Sequence, residues 1–438
     1  MKTRRIALTL LEEYEGLGKF VNLSLSSHKA DGLNGSERGF LTALLYTAVE
    51  RKLTYDYLIG AISGRSVDSI RPHTRNALRL GLCQLLHLGS VPDHAAVSLT
   101  VELGRDKGER GFINGIMRTA ARLNSRGELP MPRREKGVAR YLSVANSFPL
   151  PTVKKLISLI GEEGTESLLH SFNESSYTDI TVNTLRIGRD ELISRLADEG
   201  YEVSPSAYSS LGIRIRGSVD PTRLVGFTEG WFFVQDEACA VSVEALGCEA
   251  GQRILDVCAA PGGKSMAAAI LSENRASVNS RDLHESKLSL ITESRDRLGL
   301  TSVSVSAADA TLTDATDVGI YDRVICDVPC SGLGVLGKKP DLRYRSLDSN
   351  ATLPDLQLDI LRASFAKLRP GGAMIYSTCT LAEEENSGVV DKFMTEGLDR
   401  SLSDFTVGSL SSSNGRLTLM PHIHGTDGFF MACIIKNL

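Results

Sequence analysis

The sequence predicts a multi-domain chain. An all-α N-terminal part and a small α+β middle unit precede a C-terminal α/β part with a doubly wound, mainly parallel sheet. Three observations predict it. Apolar residues recur at three- and four-residue spacing through residues 1–125. A Pro/Arg/Gly-rich stretch (RGELPMPRREKG) follows. From Gly251 onward, short apolar runs alternate with helical periodicity. The expected boundaries are a helical domain over 1–125, a linker over 126–139, a helical segment and α+β unit over 140–235, and an α/β domain over 236–438. At ~100–200 residues per domain, 438 residues accommodate these parts.

In order, helices are expected at Arg5–Tyr14, Glu37–Lys52, Tyr55–Ile62, Thr74–Leu88, His94–Asp106 and Gly111–Leu123, with Asp93 as an N-cap. Residues 140–175 read as helical again. Thr178–Gly217 reads as strand, helix (Arg189–Glu199), strand. The α/β part places strands at Arg253–Cys258, Ala276–Ser280, Val303–Ala307, Tyr321–Asp327, Ala373–Ser377 and Gly428–Lys436. Its helices are Lys264–Ser272, Glu285–Leu298, Asp355–Leu368 and Glu383–Met394.

Composition narrows the class. Hydrophobic residues are 42% and charged residues 23%, as in ordinary globular proteins. Uncharged apolar runs such as Ile6–Leu11 and Met266–Leu271 fall far short of the ~20 residues of a membrane span. Glu12, Glu13 and Glu15 interrupt any signal-peptide core, so a cytoplasmic protein without a membrane partner is expected. The net charge of −4 conceals an asymmetry. Residues 1–140 carry 22 Lys/Arg against 14 Asp/Glu, and residues 141–438 carry 27 against 39. A basic third on an acidic remainder fits a polyanion-binding module joined to something else, or a solvated basic surface. The eight cysteines form no C-x-x-C pair, so no metal site is expected.

The first strand of the α/β part runs into Asp256-Val257-Cys258-Ala259-Ala260-Pro261-Gly262-Gly263-Lys264-Ser265 and then a helix. Small residues let a ligand approach the backbone, and the helix N-terminus offers free N–H groups. The glycine spacing is neither G-x-G-x-x-G nor a P-loop. Asp282 after the second strand could accept two ribose hydroxyls, and Asp309 after the third could meet an adenine edge. Singly, each would be a capping or loop residue. Together they point to S-adenosylmethionine or NAD.

Two cysteines stand just beyond strand ends, in Asp327-Val328-Pro329-Cys330-Ser331-Gly332 and Ser377-Thr378-Cys379-Thr380. In a doubly wound sheet both lie at the carboxyl edge, beside the cofactor crevice. A disulfide is the competing reading, and a reducing compartment argues against it. Pyrimidine chemistry gives the set a purpose. C5 is a poor nucleophile until a thiolate adds at C6 and makes the ring an enamine. Asp327 near N3 would stabilise the charge gained, and a second thiol could take part in release.

These motifs resemble the Nol/Nop/Sun family of RNA (cytosine-5)-methyltransferases. The two-cysteine segments match that family's signature, and Cys258–Lys264 matches its S-adenosylmethionine loop. Pro340-Asp341, Leu356-Gln357 with Ile360-Leu361, Glu384 with Asn386, Gly425–Phe430 and Gln235-Asp236-Glu237 match further motifs. Val91–Val97 and Gly111–Arg118 resemble a NusB-type RNA-binding domain. The fusion of the two is the architecture of the Sun/Fmu branch, whose substrate is 16S ribosomal RNA. The resemblance implies a Rossmann-like methyltransferase domain, Cys379 as nucleophile and Cys330 as the residue that helps resolve the adduct. It implies cofactor contacts from Cys258, Ala259, Ala260, Pro261, Gly262, Gly263, Lys264, Asp282 and Asp309, with Asp327 at the cofactor or the reacting centre. Thr181-Val182-Asn183 departs from the family's Arg-Val-Asn, Val328 from its usual Ala, and Lys338-Lys339 from an Arg/His-like pair. Competing readings keep the chemistry but move it to tRNA, or make the chain an antitermination adaptor with a vestigial catalytic half. The intact loop and both cysteines argue against the adaptor.

Overall fold

A computed structural model describes residues 1–17, 32–174, 177–347 and 351–438. Residues 18–31, inside the expected all-helical stretch, lie outside the described residues, as does residue 175 at the end of the second helical stretch. The chain folds as two compact units. One comprises Met1–Asn173 and Leu336–Arg345; the other comprises Glu174–Val335 and Ser346–Leu438. No helix among the described residues is long and apolar enough to cross a membrane.

The first unit is all helix: α1 (Lys2–Leu17), α2 (Gly35–Glu50), α3 (Lys52–Ser63), α4 (Pro72–Leu86), α5 (Asp93–Val101), α6 (Lys107–Ser125), α7 (Val138–Asn146) and α8 (Leu150–Glu174). Local chemistry sets several ends. Asn34 and Glu37 form a reciprocal capping box on α2. Gly64 closes α3 in the left-handed conformation. Asp93 is the first residue of α5 rather than its cap; Pro92 takes that place without a side-chain bond. Asp106, expected to end this helix, instead caps α6 by accepting the Glu109 N–H. The α6 face Ile113, Ile116, Met117 and Ala120 repeats at helical spacing and is buried.

Two buried arginines organise this unit. Arg79 on α4 is 2% exposed, and it donates to both Asp56 oxygens, to Glu15 and to Asn76. Arg343 belongs to the segment Leu336–Arg345, which reaches this unit from late in the chain. Its guanidinium donates to Glu50, to the Asn173 side chain and to the Leu336 carbonyl, and lies 4.1 Å from the Phe148 ring centroid. Burial of a guanidinium on this scale requires such complete pairing.

The second unit begins with a four-stranded antiparallel sheet. Its strands are β1 (Tyr177–Val182), β2 (Val203–Pro205), β3 (Gly212–Arg216) and β4 (Phe232–Val234), with helix α9 (Arg189–Asp198) between β1 and β2. The strand order is β2-β3-β1-β4. Ile180, Val182, Ile213, Ile215 and Phe232 alternate onto one face and pack with Leu192 and Leu196 of α9.

The α/β part follows with α10 (Glu237–Leu246), β5 (Arg253–Asp256), α11 (Gly263–Leu271), β6 (Ser277–Asp282), α12 (Glu285–Leu298), β7 (Val303–Ala307) and β8 (Tyr321–Asp327). It continues with α13 (Leu353–Lys367), β9 (Leu368–Thr378), α14 (Ser387–Thr395), β10 (Arg400–Leu402), β11 (Thr406–Val407), β12 (Leu410–Ser411), β13 (Arg416–Leu419), α15 (Pro421–His424) and β14 (Phe429–Lys436). The sheet order is β10-β14-β9-β8-β5-β6-β7, with β13 on β14. Strands β9 through β7 pair parallel, and β14 enters antiparallel to β9. The chain winds outward from β5 through β6 and β7, then returns to the other side of β5 with β8. The crevice at the carboxyl ends of β5 and β8 is therefore the topological switch point, where open α/β sheets bind ligands.

Candidate active site at the switch point

The β5–α11 loop is held from both sides. The Ala259 N–H donates to the Arg281 carbonyl (2.8 Å), and the Ala260 N–H donates to Asp282 (3.1 Å). The Ala260–Pro261 bond is cis. Gly262 has φ 108°, a region that penalises any side chain, and it starts α11 as the N-cap. Lys264 and Ser265 follow in the first turn of α11. Beneath the loop, Ser280 donates to Ser265, and Ser265 donates to Asp256 (2.6 and 2.7 Å). Asp256 is 1% exposed and its second oxygen has no partner. Burial pushes its carboxyl up to about 7, partly opposed by the Ser265 hydrogen bond.

Asp282, 7% exposed, ends β6 and braces the loop; its other oxygen accepts the His284 N–H. Asp309 follows β7. One of its oxygens accepts both the N–H and hydroxyl of Thr311, and these bonds hold its carboxyl below the usual carboxylate range. The Ala308 N–H donates to the Asp282 carbonyl, so the two acids stand at neighbouring strand ends. Leu283, next to Asp282, and Leu312, three residues after Asp309, are exposed apolar side chains.

Asp327 closes β8 in a charged cluster. Lys264 Nζ lies 2.7 Å from Asp327 Oδ2, and the Ser377 hydroxyl donates to Oδ1 at 2.6 Å. Lys264 Nζ also lies 3.4 Å from Cys239 Sγ and 5.3 Å from the Phe429 ring centroid. Burial by itself would lower the lysine's pKa. The Asp327 carboxylate overrides it, and the ammonium is held well above its ordinary value. Burial pushes the neighbouring Cys239 and Cys326 thiols up to about 12, and the Cys258 thiol well above its ordinary value.

The two thiols at the strand ends meet: Cys330 Sγ is 3.1 Å from Cys379 Sγ, and none of the eight cysteines is in a disulfide. The loops carrying them are tied together. Ser331 and Thr380 share a side-chain hydrogen bond (2.7 Å), and the Gly334 N–H donates to the Cys379 carbonyl. Gly334 and Gly428 cross so closely that a Cβ on Gly334 would lie 1.9 Å from the Gly428 oxygen. That crossing brings the Gly425–Phe430 segment against the thiol loops.

The geometry therefore gathers Cys330, Cys379, Asp327 and Lys264 at one crevice, with Asp282 bracing its loop. Sequence reasoning assigned no role to Ser377, Gln357, Glu385 or Cys239. It picked out Glu384, which is exposed; the buried carboxylate is that of Glu385, next along the chain. Thr181, where a basic residue was expected, is buried and donates to Gln235. Among the described residues, no group of three His, Cys, Asp or Glu could hold a metal ion.

Known proteins match all parts of the chain. Residues 243–435 match the family 16S rRNA methyltransferase RsmB/F, residues 1–122 the NusB family, and residues 148–222 the ferredoxin-like domain of RsmF/B-like methyltransferases. The probable ribosomal RNA small subunit methyltransferase B of Bacillus subtilis is 33% identical, over 99% of this chain and 98% of its own length. Its counterpart in Synechocystis is 32% identical over the whole of both chains. Among solved structures, PH0851 superposes with a TM-score of 0.79 at 25% identity, covering 99% of this chain and 98% of that one. NSun6 from Pyrococcus horikoshii shares the fold of 66% of this chain, with a TM-score of 0.60 at 24% identity over 99% of that chain.

Proposed function

Because the chain belongs to the 16S rRNA methyltransferase RsmB/F family, we propose that it methylates C5 of a cytosine in 16S ribosomal RNA through a covalent Cys379–C6 adduct. That it is a methyltransferase of ribosomal RNA follows from the family. The atom methylated and the covalent route are our reading. The observation that carries it is the pair of thiols 3.1 Å apart, at the ends of adjacent parallel strands.

S-adenosylmethionine, the cofactor of this reading, supplies an electrophilic methyl group. The residues present fit it. Residues 258–263 of the loop carry only small side chains, and α11 opens without a side-chain cap on its first N–H groups. Asp282 stands at the end of β6, where a ribose would lie. Asp309 stands after β7, with Ala310 beside it, where they would meet an adenine edge.

On this reading the Cys379 thiolate forms a bond to C6, and the C5–C6 π pair shifts to make C5 nucleophilic. Asp327, oriented by Lys264 and Ser377, holds the N3 edge of the ring through the proton that N3 takes as the thiolate adds. The buried Lys264 ammonium stabilises the negative charge that the ring gains. C5 would take the methyl group, the sulfonium sulfur keeping the electron pair of the bond that breaks. The C5 proton then leaves toward Cys330, its electron pair re-forms the C5–C6 double bond, and the C6–sulfur bond breaks to return the thiolate. The target base must leave its stack to reach this crevice. The basic helical unit supplies salt-dependent contacts to the RNA backbone.

Bisulfite sequencing of ribosomal and transfer RNA, from cells with and without the gene, tests the reading. One cytosine of the small-subunit RNA should lose its protection when the gene is absent. Unchanged ribosomal RNA, or loss confined to tRNA, would overturn it.

A further inference from the structure

The backbone around Cys330 is gripped on both sides by two residues outside the thiol motifs. Gln357, on α13 and fully buried, donates from Nε2 to the Pro329 carbonyl (2.9 Å). The same nitrogen donates to Glu385 Oε2 (2.9 Å). Glu385 Oε2 also accepts the Ser331 N–H (2.9 Å). The peptide groups immediately before and after Cys330 are thus both tied to one side-chain pair. Glu385 is fixed in turn, because the Tyr376 hydroxyl donates to its carbonyl (2.6 Å).

The pairing leaves a mark. Gln357 Oε1 is buried without a partner. Flipping the amide would turn that oxygen toward the Glu385 carboxylate and the Pro329 carbonyl, so the network admits one orientation only. A buried orphan oxygen and a buried carboxylate are both unfavourable in a loop anchor. Apolar packing would hold a loop at less cost. What these two polar groups add is direction, since each bond fixes the rotation of a peptide plane flanking Cys330.

We propose that Gln357 and Glu385 are positioning residues for Cys330, aiming its thiol at the Cys379 adduct so that the methylated base is released. The inference rests on the proposed role of Cys330 and deepens it. Both side chains are buried, Gln357 at 0% and Glu385 at 2% exposure. Both act through the loop.

The test uses the full-length protein, small-subunit ribosomal RNA and methyl-labelled S-adenosylmethionine. Three readouts are taken: covalent protein–RNA complex on denaturing gels, methylated RNA released per enzyme, and thermal melting. Gln357→Ala and Glu385→Ala should both accumulate methyl-labelled adduct, and multiple turnover should fall by roughly tenfold, the loss of one oriented contact. Glu385→Gln should turn over near the parent rate, because an amide oxygen can still accept from Ser331 and Gln357. Gln357→Glu, which removes the donor without removing bulk, should behave like Gln357→Ala. Lower turnover without adduct, tracking a lower melting temperature, would reduce the pair to structural anchors and overturn the proposal. Unchanged turnover would overturn it as well. Cys330→Ala, run in parallel, separates the two levels. If it traps adduct and the Gln357 variants do not, positioning alone fails; if it traps none, the role of Cys330 fails with it.

Discussion

Lys264 and Asp327, 63 positions apart in sequence, form an ion pair 2.7 Å long in which the lysine side chain is almost wholly buried. Lys264 comes from the first turn of α11 and Asp327 from the end of β8, both beside the switch point. Removing one partner leaves the other's charge in the crevice without compensation. Lys264→Met should lower the single-turnover methylation rate by about 10²–10³-fold, the usual cost of losing one preorganised charge-stabilising group. Rapid-quench measurement with labelled cofactor reads this directly. A rate within threefold of the parent would mean that the ammonium does not serve the ring.

Cys379→Ala should abolish methyl transfer while the circular dichroism spectrum stays unchanged, since the side chain sits in a loop beyond β9 rather than in the sheet. Cys330→Ala should retain adduct formation and lose release. Denaturing gels with labelled RNA distinguish the two: no retained RNA for the first, retained RNA for the second. Release of 5-methylcytosine by Cys379→Ala would end the covalent assignment.

The same residues show how far sequence carries. Helix α12 and strands β7 and β8 fall where periodicity put them, because each is an apolar or amphipathic run bounded by loop residues and long enough to declare its period. Strands β10 to β13 have two to four residues each, too short to show a period; β10 and β13 form by pairing with β14, and β11 and β12 pair only with each other. The helix expected from Glu383 begins at Ser387, because residues 383–386 make a turn whose side chains serve the thiol loops. The strand-end thiols and Asp327 were legible because their order along an α/β chain dictates their edge of the sheet. Buried partners were not. Arg79 to Glu15, Arg343 to Glu50 and Glu385 to Ser331 are long-range pairs, and a run of three glutamates does not say which one turns inward.

Asp256 gives the α/β part an unusual pH dependence. Its carboxyl is raised from 3.8 to about 7 by burial, so the folded chain holds a proton there that the unfolded chain has lost. Stability from this group is therefore greatest at acid pH and declines as pH rises from about 4 to about 7. At ~1.4 kcal/mol per unit, the decline is at most ~4 kcal/mol. Asp256→Asn, neutral throughout, should flatten it. Urea unfolding at pH 5 and pH 8 should show a smaller difference for the variant than for the parent; equal differences would place the titration elsewhere.

In the helical unit the dependence has the opposite sign. Glu15 accepts from Arg79 (2.5 Å) and Asn76 (3.1 Å), and Lys52 and Arg75 each lie 3.3 Å away. Burial would raise its carboxyl, but the Arg79 guanidinium dominates the other way, and the pKa falls from 4.5 to about 2. A depressed carboxyl stabilises the fold above its unfolded pKa, and that stability is lost as pH falls from about 4.5 toward 2. Arg79→Met should act on the same limb. It removes the guanidinium from Asp56 and leaves Glu15 with only Lys52, Arg75 and Asn76, and removing one member of a buried pair costs up to about 3–5 kcal/mol. Without the guanidinium, Glu15 protonates at higher pH, so the acid limb should also move upward. Hydrogen exchange at α1 and α4 in the full-length chain, followed from pH 6 to pH 3, isolates this unit from the α/β sheet. Faster exchange in both helices at pH 6, with an earlier acid transition, is the expected result. Unaltered protection would show that the cluster is held by its apolar surroundings rather than by Arg79.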